Sequence, residues 1–247
     1  MTDLLPLVLG LMKQPTARDL QTTIGPSSLG TPCDFCLAQE LSSPAESDLF
    51  HKPYWLGAWE GTAIHAYLES LAETFDWQGE RYHTEKRVVV GQVGTYGVVS
   101  GSTDLYLPDR ATVVDWKSTT RAKVKLLRTA FAEKHTPYDP EPLLQARFTA
   151  KKYIGQFMLY GKGWEDAGNK VDTVAAVFIN RDGTGDSDIW VHEMPYNRAY
   201  AEKVLDRANR IWVALEGGKP VSSFLSRIAC YSCSTSGEPR KYSKTPF

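Results

Sequence analysis

The sequence predicts an α/β fold with a mixed central sheet flanked by helices. Three observations predict it. Segments of helical period and short β-branched runs follow one another as helix, three strands, two helices, two strands, helix. Turn-forming stretches such as "PDRA" and "RDGTGD" separate them. The 247 residues, 42% hydrophobic and 11% aromatic, suffice for one good-sized core with modest additions.

Residues 1–53 read as an N-terminal segment: a short helix, a loop rich in Gly, Ser and Pro, and a first cysteine pair in "PCDFC". The opening "MTDLLPLVLGLMKQ" has no cationic lead and carries Pro6, so no signal peptide is expected. No apolar stretch reaches membrane-spanning length, and the expectation is a soluble cytoplasmic protein. Residues 54–218 read as the core. "YWLGAWEGTAIHAYLESLAETF" (54–75) has helical period, with Leu56, Trp59, Ala63 and Tyr67 on one stripe and Ile64, Leu68, Leu71 and Phe75 beside it. "HTEKRVVV" (83–90) reads as a strand, "GQVG" (91–94) as a turn, and "TYGVVSGSTDLYL" (95–107) and "TVVDWKS" (112–118) as strands about "PDRA". A basic helix follows over 119–134, until Pro137, Pro140 and Pro142 break it. A long helix over 143–164, strands over 171–180 and 188–194, and a helix over 197–218 with a glycine stop complete the core. Residues 219–247 form an irregular tail with the second cysteine pair, in "CYSC". No internal repeat is visible.

The net charge of −1 shows no global basicity, so nucleic-acid binding would have to come from a local patch. The hairpin about "PDRA" carries the most informative chemistry. Val113, Asp115 and Lys117 share one face of their strand, and Val114 and Trp116 the other. If Asp109–Arg110 centres an even-length loop, Asp104 lies opposite Asp115, with Cβ atoms roughly 5 Å apart. Opposed carboxylates destabilise a hairpin unless something positive lies between them. A divalent cation removes the conflict, and hard oxygen ligands suit Mg²⁺ or Mn²⁺. Lys117 is then placed to act on a water or a phosphate oxygen. Gly101, three residues before Asp104, suits close backbone approach.

Two further groups stand out. Gly61 and His65 lie one helical turn apart, with Thr62 and Glu69 on the same side, and His65 offers an imidazole ligand. Lys152, Gln156 and Tyr160 recur every four residues on the long helix, a row able to hold a phosphate backbone or stack on a base. Arg121, Lys123, Lys125 and Arg128 follow the Lys117 strand and offer a track for phosphates. A satisfied structural histidine and ordinary solvated helix faces are the alternatives.

In this order, G-x-x-x-H (Gly61–His65), G-x-x-D (Gly101–Asp104), D-x-K (Asp115–Lys117) and Q-x-x-x-Y (Gln156–Tyr160) resemble the four motifs of RecB-type nucleases in the PD-(D/E)XK superfamily. The flanking cysteines resemble the iron–sulfur branch that includes the CRISPR-associated RecB-like exonucleases, and similar stand-alone proteins occur in bacteriophages. The resemblance implies a restriction-endonuclease-like sheet and a metal-dependent DNA nuclease, with exonuclease action on ends or single strands in recombination, repair or phage replication. The setting would be the cytoplasm, that of the host if the chain is phage-encoded, with recombination or replication proteins as possible partners. It implies that His65, Asp104, Asp115 and the Trp116 carbonyl bind Mg²⁺ or Mn²⁺, that Lys117 orients or activates water and stabilises phosphate charge, and that Gln156 and Tyr160 shape the site and touch DNA beside Lys152 and Arg121. Glu85, on the preceding strand, has no assigned role. Relatives place one cysteine before the core and three after it; here the split is two and two. Cys33, Cys36, Cys230 and Cys233 suit a four-iron four-sulfur cluster, or a tetrahedral Zn²⁺, joining the two chain ends. A nucleic-acid-binding adaptor that does not cut, and a zinc-stapled interaction module, are the competing readings.

Overall fold

The computed structural model describes residues 4–12, 23–42, 55–132, 134–136 and 138–225. Cys230 and Cys233 lie outside the described residues. The helices are α1 (Leu5–Met12), α2 (Pro26–Leu29), α3 (Asp34–Ser42), α4 (Trp55–Ala72), α5 (Arg121–Ala132), α6 (Glu141–Asp166) and α7 (Arg198–Glu216). The strands are β1 (His83–Val93), β2 (Gly97–Leu107), β3 (Thr112–Thr119), β4 (Thr173–Asn180) and β5 (Ile189–Pro195). They form one sheet in chain order. Only β3 and β4 are parallel; the other neighbours are antiparallel. The parallel pair follows from chain geometry, because α5 and α6 carry the chain back across the sheet between β3 and β4. The expected mixed sheet with flanking helices is therefore observed. No helix among the described residues is long and apolar enough to cross a membrane.

The main core lies between one face of the sheet and helices α3, α5, α6 and α7. Val88, Val90, Tyr106, Val113, Val174 and Phe178 from the strands meet Phe157, Leu159 and Trp164 of α6 there. Trp164 stacks on Tyr106 with ring centroids 4.1 Å apart, and its indole N–H donates to Thr103 Oγ1 at 3.0 Å. A smaller cluster of Leu105, Leu107, Val114 and Ala175 covers the other face with Trp77, Tyr82 and Trp116. Helix α4 packs on that side, against β1 and β3.

Two local expectations change. "GQVG" is not a turn. β1 runs on to Val93 through an irregularity between Val89 and Gly91, and the chain reverses over Gly94–Tyr96. Helix α7 holds that reversal, where Asn209 Oδ1 accepts from the Gly94 N–H at 2.7 Å and the Trp212 ring meets Tyr96 edge-on. Glycines mark a bulge as readily as a turn, and only the distant helix decides between them. The second change concerns α4. Its regular apolar stripe faces outward, with Leu56 46% and Tyr67 65% exposed. The face that meets the sheet instead carries Gly57, Gly61, His65 and Leu68. Arg181, beyond the end of β4, fixes that orientation by donating to the Gly57 carbonyl at 2.9 Å and to Glu60 Oε2 at 2.6 Å.

The N-terminal segment is seated by a backbone-to-backbone contact. A Cβ on Gly155 of α6 would lie 2.8 Å from Gly30 Cα, and one on Gly30 would lie 2.9 Å from the Gln156 nitrogen. Neither helix surface leaves room for a side chain. Gly155→Ala should therefore push the turn after α2 off α6 and cost roughly 1–3 kcal/mol, as overpacking does elsewhere. Urea denaturation of the variant against the parent measures this, and an unchanged midpoint would contradict the contact.

Candidate active site

The site is built where β2 and β3 separate. Their ladder pairs Leu107 with Thr112, Tyr106 with Val113 and Leu105 with Val114, the register expected from the "PDRA" loop. A 3₁₀ turn over Pro108–Arg110 and a left-handed Ala111 (φ +47°) close that loop. Continued by one residue, the register would pair Asp104 with Asp115, but the ladder stops first. Asp104 enters the gap with its side chain. Its Oδ2 accepts the Trp116 backbone N–H at 2.6 Å, replacing a missing ladder bond, and its Oδ1 meets His65 Nδ1 at 3.1 Å.

A break in strand alternation accompanies this. His83 and Lys86 both face α6, stacking at 5.5 Å and lying 5.8 Å from the Trp164 ring respectively. On β2, Thr103 and Tyr106 meet the same tryptophan. Thr84, Glu85, Asp104 and Leu105 instead line a small cavity beneath α4 with His65, Leu68 and Glu69. Each strand thus turns two consecutive side chains toward α4. Glu85 accommodates the break with φ +46°, a left-handed conformation inside a strand. For a residue with a Cβ that conformation costs roughly 1–2 kcal/mol.

Asp115 faces the other way, toward α6. It is 3% exposed, is ion-paired with Lys117, and accepts from Gln156 Nε2 at 3.2 Å. The Lys117 ammonium lies 5.2 Å from the Tyr153 ring centre and 5.7 Å from that of Phe157. The ladder has the expected register, but the expected pairing of Asp104 with Asp115 does not form, and the two carboxylates contact opposite helices across the opening. They remain electrostatic neighbours, each charge acting on the other's surroundings.

Charge is distributed unequally. Burial works against ionisation of Asp104, yet the His65 hydrogen bond, the Lys117 charge and the Trp116 N–H hold its carboxyl below the ordinary value. Burial pushes Asp115 up to about 6, against the pull of Lys117 and with the Asp104 charge adding to the rise. Burial opposes the Lys117 charge too, but Asp115 and its neighbours push that ammonium up to about 12. Lys117 is therefore held as a cation by its neighbours.

The donor set suits a hard divalent cation. His65, Glu85 and Asp104 each offer one ligand atom, all within 4.8 Å of one another. Bonds of about 2.1 Å to such an ion span separations up to roughly 4.2 Å, so small shifts close the set. Glu85, unassigned from sequence, joins His65 and Asp104 here. The charged run Glu85–Arg87 before the valines of β1 was a weak signal for it.

Other expectations need correction. Gln156 and Tyr160 do not present a surface row for DNA; they are 6% and 7% exposed. Gln156 Nε2 reaches Asp115 and lies 3.4 Å from Tyr160 Oη, while the Tyr160 ring closes on Gly101, whose added Cβ would lie 3.1 Å from it. They are buried because Gly155, Phe157, Met158, Leu159 and Gly161 make this part of α6 small or apolar on every side. Lys152 is half-buried one turn earlier. Arg121 is exposed but occupied, paired with Asp188 at 3.0 Å. Cys33 is buried and Cys36 half-buried at the start of α3, beside Phe35 and Phe148.

No protein-family model matches the chain, and no curated protein matches it. Two solved structures similar to it are exonucleases. One is the alkaline exonuclease of Laribacter hongkongensis, at 14% identity and a TM-score of 0.42 over 80% of this chain and 92% of that one. The other is a phage-related exonuclease from Haemophilus somnus 129PT, at 13% identity and 0.44 over 82% and 99%. The structure of SSO0001 is similar at 15% identity and 0.46 over 90% and 93%.

The pH response of the metal-free protein follows from Asp115. Its folded pKa of about 6 lies above the ordinary 3.8, so between those values the folded state keeps a proton that the unfolded state has lost. That contribution is fully present below about pH 4 and disappears as pH rises through 6. In EDTA, the parent should lose on the order of 2–3 kcal/mol relative to Asp115→Asn across this window. Urea melts at pH 4, 5, 6 and 7 measure the difference; parallel curves would contradict the buried carboxylate.

Proposed function

We propose that the chain is a divalent-metal-dependent deoxyribonuclease that hydrolyses phosphodiester bonds, acting as an exonuclease on DNA ends or single strands. The observation that carries this reading is the opening of the β2–β3 ladder. It gathers an imidazole, an ionised carboxylate and a buried lysine–carboxylate pair around one gap. A core that only packs gains nothing from desolvating such groups.

His65, Asp104 and Asp115 would hold Mg²⁺ or Mn²⁺ with the Trp116 carbonyl, and the bound cation supplies positive charge and makes water more acidic. Asp104 is kept ionised for that task by His65 and the Trp116 N–H. Lys117 holds a fixed positive charge beside the gap and stabilises charge that develops on a scissile phosphate. Its raised pKa favours this role over proton removal from water. Gln156 orients Asp115 from beneath, so it acts on the carboxylate and not on DNA. Lys152 and Arg121 remain the candidate phosphate contacts, with Arg121 exchanging Asp188 for the backbone. Roles in recombination, repair or phage replication belong to the same proposal.

The cysteines would hold a structural four-iron four-sulfur cluster, with Zn²⁺ as the other occupant. Support comes from the return of the chain after α7. Val221 and Phe224 pack on the cluster that contains Leu37, Ala38 and Leu41 of α3. The last described residues, 221–225, thus lie beside α3, which Cys33 precedes and which contains Cys36.

With Mn²⁺ or Mg²⁺ the protein should degrade end-labelled DNA. Lys117→Ala and Asp115→Ala should each reduce the rate at least about 10²-fold with unchanged circular dichroism. Full activity in both would place the chemistry elsewhere, and DNA binding without cleavage would favour the adaptor. Metal analysis of anaerobically purified protein addresses the cysteines separately. Iron with sulfide is expected, and one zinc without iron would reverse the assignment.

A further inference from the structure

We propose that Glu85 is a cation ligand, forming with His65 and Asp104 a second divalent position on the α4 side of the sheet. It deepens the nuclease reading and rests on it for the identity of the cation as Mg²⁺ or Mn²⁺. Asp104 then stands between two positions, one shared with Asp115 and one shared with Glu85.

Four observations carry the assignment. The ligand atoms of His65, Glu85 and Asp104 lie within 4.8 Å of one another, whereas Asp115 faces Lys117 and Gln156 on the α6 side. The three ligands line one cavity, joined by Glu69 one turn beyond His65, and Leu68, Ala72 and Leu105 complete its wall. A divalent cation held by His65, Glu85 and Asp104 would balance the charge of the two carboxylates. Register adds the third observation. Thr84 pairs with Leu105 and Lys86 with Thr103, so Glu85 falls opposite Asp104 without any shift of the strands. The fourth is the backbone. At φ +46° Glu85 follows Thr84 onto the α4 side, and the next residue, Lys86, returns to α6. Regular alternation would have kept Glu85 out of the cavity. A glycine would meet the same backbone demand without strain.

The two hard carboxylates suit Mg²⁺ or Mn²⁺, and the imidazole makes Mn²⁺ the better fit of the two.

The test is Mn²⁺ titration of the full chain by calorimetry and by the electron paramagnetic resonance of free Mn²⁺, using the parent, Glu85→Gln, Glu85→Gly and Asp115→Asn. The parent should bind two equivalents. Glu85→Gln should lose one, or bind it at least tenfold more weakly, and keep the other; Asp115→Asn should show the reverse. Glu85→Gly should melt no lower than the parent in EDTA and show a smaller rise in Tm on adding Mn²⁺, which separates lost ligation from lost folding. A Glu85→Gln isotherm matching the parent would overturn the proposal. Loss of both equivalents in folded Glu85→Gln and Glu85→Gly would overturn it as well, by merging the two positions. Glu85-dependent binding in a protein that never cuts DNA would sink the nuclease reading and leave the ligand assignment standing.

Discussion

The hydrogen bond from the Trp116 N–H to Asp104 is the constraint on which the site depends. A buried backbone donor must be paired, and where β2 and β3 part company the ladder no longer supplies the acceptor. A carboxylate takes its place. Asp104 fills the gap between the strands, and His65, the Lys117 charge and this N–H together hold its carboxyl below the ordinary value. Asp115 lies on the far side of the opening, where α6 can reach it. The gap is therefore satisfied by the same group that gives it chemical character.

Helices α4 and α6 divide the labour on the two sides. From α4 come His65 and the cavity wall, and Arg181 fixes the helix through Gly57 and Glu60. From α6 come Gln156, Tyr160 and the rings beneath Lys117. The Asp115–Lys117 pair is desolvated, and such pairs contribute little net stability compared with apolar residues of the same volume. The fold tolerates them because Gln156 satisfies one carboxylate oxygen and Lys117 meets the other.

Much of this was legible in the sequence, for identifiable reasons. An even-length "PDRA" loop sets the β2–β3 register, so the pairing of Leu105–Leu107 with Thr112–Val114 followed from counting residues. Periodicity placed α4, α6 and α7 to within a few residues. What stayed hidden depends on contacts between distant segments. The outward stripe of α4 could not be told from an inward one, because the helix is apolar on most of its surface and Arg181 makes the choice. The strand break at Glu85 rests on a left-handed glutamate, which no propensity favours. The burial of Gln156 and Tyr160 was available from their neighbours, since "YIGQFMLYGKG" offers no polar face wide enough to meet solvent.

The meeting of Gly30 with α6 has a mechanical consequence. Two main chains in direct contact leave no soft side chain to absorb relative movement. Gln156, the donor to Asp115, is adjacent to Gly155, and Cys33 follows Gly30 by three residues. The backbone three residues before Cys33 is thus seated directly on the backbone next to Gln156, with no side chain between them.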